Sequence, residues 1–168
     1  EHQVPNALAA AAAGGGLGVD IEQIAAGLRD AALSGLRMEL ATSSTGVTII
    51  NDAYNANPTS MAAALGSLAR LKAGRRVAVL GTMAELGDDS AAEHAAIAAR
   101  AGELGIDVIA VAEPAYGGGV LHVSGVDDAA AALADLRDGD AVLVKGSRVA
   151  ALERVAQALL DAGVASGS

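Results

Sequence analysis

From residue 58 onward, short runs of Val, Ile, Leu and Ala alternate with longer stretches of helical periodicity. This alternation limits the fold more than any other feature of the chain. The spacing predicts strands at 76–80, 106–111, 120–123 (a weak one) and 141–144. Helices are predicted at 58–71, 90–104, 127–136 and 149–160. Strands that read as continuous apolar runs, with no polar alternation, are buried on both faces; this is the signature of a largely parallel sheet covered by helices. In such sheets ligands lie at the carboxyl ends of the strands. Ahead of this region, 37–42 and 47–51 flank Ser43-Ser44-Thr45-Gly46, which is turn chemistry, so the pair predicts a β-hairpin. Further upstream, an Ala-rich helix is expected at 6–18 with Asn6 as N-cap. A second helix, capped by Asp20, carries Ile21, Ile24, Ala25 and Leu28 at helical spacing. A short linker at 31–35 separates the two regions.

The core of such a domain has to be aliphatic. Of 168 residues 52% are hydrophobic, yet only 1% are aromatic, and Cys, Trp and Phe are absent. That apolar content excludes a disordered chain. Without cysteine there is no disulfide framework, no thiolate metal site and no thiol nucleophile. A net charge of −9 argues against nucleic acid as a partner, since that affinity rests on a basic surface. No apolar run reaches the roughly 18 residues of a membrane span, because residues 7–19 are broken by Gly14, Gly15 and Gly16. The chain opens Glu-His-Gln-Val-Pro, with no initiator Met and no basic leader. It reads as a piece of a longer protein.

Four polar segments fall where this fold would place a site. Asp52-Ala53-Tyr54-Asn55-Ala56-Asn57-Pro58 joins an apolar strand to a helix whose start can face an anion or a sugar hydroxyl. Equally, it could be a plain connection with Asn57 as N-cap. Lys145-Gly146-Ser147-Arg148 also follows a buried strand, and it holds one of only two lysines. Cations are disfavoured at a helix start, so their placement there suits a carboxylate or phosphate better than a merely solvated end. Gly81-Thr82-Met83-Ala84-Glu85-Leu86-Gly87 follows a third strand, and His94, a turn beyond Ser90, reads as a surface residue rather than a catalyst. Arg37 lies at the linker and, alone, is an ordinary strand residue. No phosphate loop, dinucleotide fingerprint, nucleophile elbow or zinc spacing occurs.

Taken in order, the segments resemble the Mur ligases of peptidoglycan synthesis. The residues are His2-x-x-x-Asn6-Ala7-Leu8, Arg37-Met38-Glu39, Asp52 to Pro58 with Ser60-Met61, Leu80-Gly81-x-Met83-x-Glu85-Leu86-Gly87 with His94, and Lys145-Gly146-Ser147-Arg148. Within the family the Tyr-Asn-Ala-Asn-Pro and Lys-Gly-Ser-Arg segments are most similar to the member that adds D-alanyl-D-alanine to UDP-N-acetylmuramoyl-tripeptide. Two positions depart from the pattern: Gln3 stands where Asn is common, and Thr82 where Asp is common.

The resemblance implies an α/β fold with a Rossmann-like, mostly parallel sheet and helices on both faces, preceded by the hairpin and by two helices left from a central ATPase domain. Residues 1–33 would be that remnant, 34–163 the C-terminal domain and 164–168 a tail. The implied chemistry is phosphorylation of a carboxylate by ATP, then attack of the dipeptide amine on the acyl phosphate. Asn6 would meet the adenine, Arg37 the phosphates and Asp52 the ribose, with Asn55 and Asn57 shaping that loop. Lys145, Ser147 and Arg148 would lie near the incoming dipeptide. The phosphate loop and the ligands of Mg2+ would lie upstream, so no catalytic residue and no metal ligand is assigned within this stretch. The parent would be a cytoplasmic, monomeric enzyme without membrane insertion, and this piece alone would not turn over. A related amino-acid or folylpolyglutamate-type ligase, or a non-catalytic ligand-binding module, are the competing readings.

Overall fold

The computed structural model describes residues 4–30 and 38–162. The expected linker at 31–35, the tail at 164–168, and His2, Gln3 and Arg37 lie outside the described residues. The chain divides into two compact units, Glu1–Ser34 and Gly35–Ser168.

In the first unit, α1 (Val4–Gly16) and α2 (Ile21–Asp30) pack on one another. A Cβ on Gly14 would come within 3.2 Å of Ile24 Cδ1. Gly18 takes a left-handed φ of +77° between the helices, and Asp20 Oδ1 accepts the Glu22 N–H at 2.8 Å, which is the expected cap. Asn6, by contrast, is not an N-cap. Helix α1 already runs from Val4, with Pro5 in its first turn where a missing N–H is not needed. No described side chain of either helix is buried, and Leu8, Leu17 and Ile21 are exposed.

The second unit begins with the antiparallel hairpin β1 (Glu39–Thr42) and β2 (Thr48–Asp52), whose turn uses Gly46 at φ +83°. Then come α3 (Pro58–Arg70), β3 (Arg76–Leu80), α4 (Ser90–Glu103), β4 (Asp107–Val111), β5 (Leu121–Val123), α5 (Val126–Ala131), β6 (Ala141–Lys145) and α6 (Glu153–Asp161). The six strands lie in the order β1-β2-β6-β3-β4-β5, and every pairing except β1 with β2 is parallel. The expected α/β fold is therefore the observed one.

Strand residues alternate between two aliphatic cores. Ile50, Ala78, Leu80, Ala110 and Leu143 point to one side, where α3 and α4 supply Met61, Leu65, Leu68 and Ile97. Ile49, Val77, Val79, Ile109, Val142 and Val144 point to the other, against Ala129, Leu152 and Val155. Fully burying one such aliphatic side chain contributes about 1.5–3 kcal/mol. Among the described residues no helix is long and apolar enough to cross a membrane.

Two helices differ from expectation. Helix α5 ends at Ala131 and gives way to turns rather than continuing to 136. The last helix starts at Glu153, not 149. Residues Arg148–Ala150 form a single 3-10 turn and Ala151 takes a left-handed φ of +48°. That detour delivers Leu152, which is wholly buried, beneath the ends of β3 and β6: Cβ atoms on Gly81 and Gly146 would each come within 3.0 Å of its Cδ1.

The amino edge of the sheet is braced by Asp140, which is 9% exposed. Its Oδ1 accepts the Arg75 N–H and its Oδ2 the Arg137 N–H, both at 2.9 Å. The Arg137 N–H foremost, then the Arg75 N–H and the two arginine charges, hold this carboxyl below its usual range, against the opposing effect of burial. A carboxyl whose folded value lies below its unfolded one, about 3.9, stabilises the fold above that pH. The contribution disappears as pH falls through the folded value. Asp140→Asn is therefore expected to cost about 1–3 kcal/mol at neutral pH, with a smaller gap from the native chain at about pH 3, below the unfolded value. Urea unfolding at both pH values measures it; an equal gap at both contradicts the assignment.

Candidate functional site

The site follows from where β6 enters the sheet. Chain leaving β2 and β3 passes to the face covered by α3 and α4, whereas chain leaving β6 passes to the face covered by α6. The connections therefore diverge on both sides of the β6 carboxyl end. Divergence of this kind opens the crevice in which such sheets bind ligands.

Register then decides which side chains meet there. Lys145 is opposite Asp52 on one side and Leu80 on the other. By alternation from Ile50 and Leu143, both Asp52 and Lys145 point to the α3–α4 face. Lys145 Nζ lies 2.6 Å from Asp52 Oδ2 and donates a second bond, 2.8 Å, to the Asn55 carbonyl. Asp52 Oδ1 accepts the Met38 N–H at 3.2 Å. Lys145 is 1% exposed and Asp52 9%. Sequence reasoning directed these two residues to different ligands; the structure joins them to each other.

The loop between β2 and α3 is built around this pair. Asn57 is the N-cap of α3: its Oδ1 accepts the Ser60 N–H at 2.8 Å while Ser60 Oγ accepts the Asn57 N–H, a reciprocal capping box with Pro58 beside it. Asn55 Oδ1 accepts the Ala56 N–H at 2.8 Å, which leaves its amide N–H2 group toward solvent. Tyr54 packs under the exposed Arg148, whose guanidinium carbon sits 5.7 Å from the ring centroid. The two loops thus touch twice, once through a buried ammonium and once through an exposed cation on an aromatic ring.

The loop after β3 is clamped from three directions. Ser147 Oγ accepts the Ala84 N–H and the Ser147 N–H reaches the Thr82 carbonyl, each at 2.9 Å. His94 Nε2 accepts the Met83 N–H at 2.9 Å. Tyr116 donates its hydroxyl to the Gly81 carbonyl at 2.8 Å, and burial, aided by the charge of Glu113, pushes its phenol up so that it stays a neutral donor.

Of the candidate residues, Asp52 and Lys145 end adjacent strands, and Asn55, Asn57, Ser147 and Arg148 lie in the loops that follow, all at one edge of the sheet. Asn6 is exposed in the other unit, and Arg37 lies outside the described residues. Lys145 and Arg148 do not sit at a helix N-terminus, as had been expected, because Lys145 ends β6 and α6 starts at Glu153. His94 is not a surface residue: it is wholly buried. Its position three before Ile97 and seven before Ala101, both buried, carried the signal, for those offsets mark one helix stripe. Tyr54, Tyr116 and Glu113 went unassigned, since a single aromatic or acid in a loop has no spacing to read. A groove of about 370 Å³ between the hairpin and α6 holds none of the candidate side chains. Among the described residues no group of three His, Cys, Asp or Glu side chains could hold a metal ion.

The Mur ligase, glutamate ligase domain family matches residues 36–148. The chain is 43% identical over 193 aligned residues to UDP-N-acetylmuramoyl-tripeptide–D-alanyl-D-alanine ligase of Mycobacterium tuberculosis, covering 95% of this chain and 38% of that protein. It thus spans less than two fifths of this curated relative. A crystal structure of MurF from Acinetobacter baumannii superposes with a TM-score of 0.79 at 32% identity, covering 96% of this chain and 38% of the other. MurF ligase from Thermotoga maritima, in complex with ADP, superposes with a TM-score of 0.72 at 27% identity, covering 94% and 37%.

Removing one member of a buried ion pair leaves the other charge without a partner, at about 3–5 kcal/mol. Lys145→Met is expected to destabilise the chain by that order, and the double variant Lys145→Met/Asp52→Asn to recover more than half of the loss. Chemical unfolding of the two single variants and the double one closes the cycle; additive losses contradict the coupling.

Proposed function

The chain belongs to the Mur ligase family, and from that premise we propose that it is the C-terminal part of an ATP-dependent ligase that joins D-alanyl-D-alanine to UDP-N-acetylmuramoyl-tripeptide. The observation that carries this reading is the 43% identity to a ligase of that name, extending over 95% of the chain. The similarity to a ligase in complex with ADP supports a nucleotide-dependent reaction.

In this reading ATP phosphorylates the tripeptide carboxylate. The dipeptide amine then attacks the acyl carbon, the C–O bond to phosphate breaks, and the amine proton is lost as the amide forms. The 168 residues supply binding and orientation. Asn55 offers a free amide to the nucleotide ribose at the carboxyl end of β2, and Asn57 fixes the loop by capping α3. The second lone pairs of the Asp52 carboxylate remain for a ribose hydroxyl, while its first are engaged by Lys145 and Met38. Asn6 would meet the adenine and Arg37 the phosphates. Of the three residues directed to the dipeptide, Arg148 has the exposed charge that a carboxylate needs. Lys145 and Ser147 shape the loop beneath it.

The unit of α1 and α2, with no buried side chain among its described residues, supports its reading as the remnant of a larger ATPase domain. In this reading the main ligands of the Mg2+ that accompanies ATP would lie outside these residues. We place the reaction in the cytoplasm, with its nucleotide-linked substrate.

Coupled measurement of ADP release tests the proposal. The 168-residue chain alone is expected to give no turnover, because positioning across two domains around ATP is missing. In the full-length enzyme, D-alanyl-D-alanine is expected to outcompete single amino acids and glutamate as the amine, and preference for any of these would refute the assignment. Arg148→Ala is expected to raise KM for the dipeptide about 10- to 100-fold, the loss of one charge-assisted contact, and to leave KM for ATP within about twofold. An equal rise in both would place Arg148 elsewhere.

A further inference from the structure

The buried ring of His94 has no part in the ligation described above, yet it carries more specific contacts than any other side chain near the β3 loop. Helix α4 presents it inward at 0% exposure. Its Nδ1 lies 2.6 Å from the Ser90 carbonyl, an oxygen that can only accept, so Nδ1 carries the proton. Its Nε2 then has a lone pair and accepts the Met83 N–H at 2.9 Å. One tautomer is thus selected from both sides. Tyr116 stacks edge-on, with ring centroids 5.0 Å apart and planes at 86°, and ties its hydroxyl to Gly81, two residues before Met83.

The same Nε2 lies 3.6 Å from Glu113 Oε2, a carboxylate that is engaged only through its other oxygen, which accepts the Ala115 N–H at 3.1 Å. Nε2 therefore stands between two competing partners, and its proton decides which is served. Neutral, it accepts from Met83. Charged, it donates to Glu113, and the Met83 N–H faces another N–H with no acceptor. The other groups around the ring do not offset this: α3 contributes Met61, Leu65 and Leu68 to the shared core, all apolar. Tyr116 stays protonated, and Asp88 and Asp89 ahead of α4 are exposed, with Glu93 the nearest acid on the helix itself.

We propose that His94 is a positioning residue and proton switch: its neutral Nδ1–H form latches the 81–84 turn into the crevice beside Ser147, and protonation transfers Nε2 to Glu113 and releases the turn. This goes beyond the ligase reading and does not depend on it, since it concerns the backbone of the turn and not any ligand.

NMR on the 15N-labelled chain tests it. At about pH 8, long-range 1H–15N correlations are expected to show Nε2 unprotonated and Nδ1 protonated. As the pH is lowered from about 8 to about 5, the protection factor of the Met83 amide is expected to fall at least about tenfold in step with protonation of the ring as read in the same spectra. His94→Gln, whose amide oxygen can still accept from Met83 but does not titrate, should keep its protection throughout. In Glu113→Gln the protection should persist to lower pH than in the native chain. An Nε2–H tautomer at pH 8, a ring that stays neutral to about pH 5, or Met83 protection that ignores ring protonation overturns the proposal. All three are read on the native chain, so the test stands even where a variant fails to fold.

Discussion

The contact between Lys145 and Asp52 is the one on which the carboxyl edge of this sheet depends. Placing an ammonium and a carboxylate out of water costs several kcal/mol per ion, and their attraction offsets that only where geometry is close and the remaining polar atoms are engaged. Both conditions are met: the pair is 2.6 Å apart, Lys145 also holds the Asn55 carbonyl, and Asp52 also holds the Met38 N–H. Three pieces of chain that are distant in sequence are thereby tied at one point. They are the entry to the hairpin, the loop ahead of α3 and the end of β6. Apolar residues of equal volume could fill the space, but they would leave the Met38 N–H and the Asn55 carbonyl without these partners. The polar choice fixes a particular arrangement of loops.

The two edges of the sheet are built differently. At the amino edge, Asp140 takes two backbone N–H groups and Arg75 bridges Asp107 and Asp135, a network that holds strand starts in place. At the carboxyl edge lie all four non-glycine residues with left-handed backbone among those described. Met38 precedes β1 opposite the end of β2, Ala112 directly follows β4, and Glu85 and Ala151 stand in the loops after β3 and β6. Each such residue costs of order 1–3 kcal/mol and persists only when its surroundings over-determine it. Here the surroundings are the Lys145 pair, the Ser147 clamp and the His94–Tyr116 contacts. Strain and the groups that hold it coincide with the crevice that topology opens.

Much of this was legible in the sequence, for reasons that can be stated. Strands β3, β4 and β6 were readable because a parallel sheet with both faces covered needs unbroken apolar runs, such as 76–80 and 141–144, that nothing else explains. The α3 start was readable because Asn57, Pro58 and Ser60 are a local capping pattern that depends on no distant residue. What escaped depends on register and on long-range packing. Residues 149–152 have helical composition, yet the close approach of Gly81 and Gly146 leaves a space that Leu152 fills only if the chain first turns through Ala151. The partnership of residues 52 and 145, 93 positions apart, exists only once β6 is placed between β2 and β3. No local spacing encodes an insertion of that kind. The choice of family rested on segments, and segments fix neighbours along the chain rather than across the sheet.

That distinction bears on how a motif should be read at all. Lys-Gly-Ser-Arg looks, as a string, like two cations flanking a flexible turn, ready for one anion. In the folded chain its four residues do four separate things. Lys145 neutralises a buried acid, Gly146 lets β6 approach β3 so closely that a Cβ would meet Gly81 Cα at 3.2 Å, Ser147 clamps the neighbouring loop, and Arg148 alone keeps its charge in solvent over Tyr54. Strand parity imposes this division: once Val144 faces α6, Lys145 must face α3 and α4, where Asp52 already points. Three of the four positions are thus committed to holding loops together. A substitution there changes the shape of the crevice before it changes any contact with a ligand.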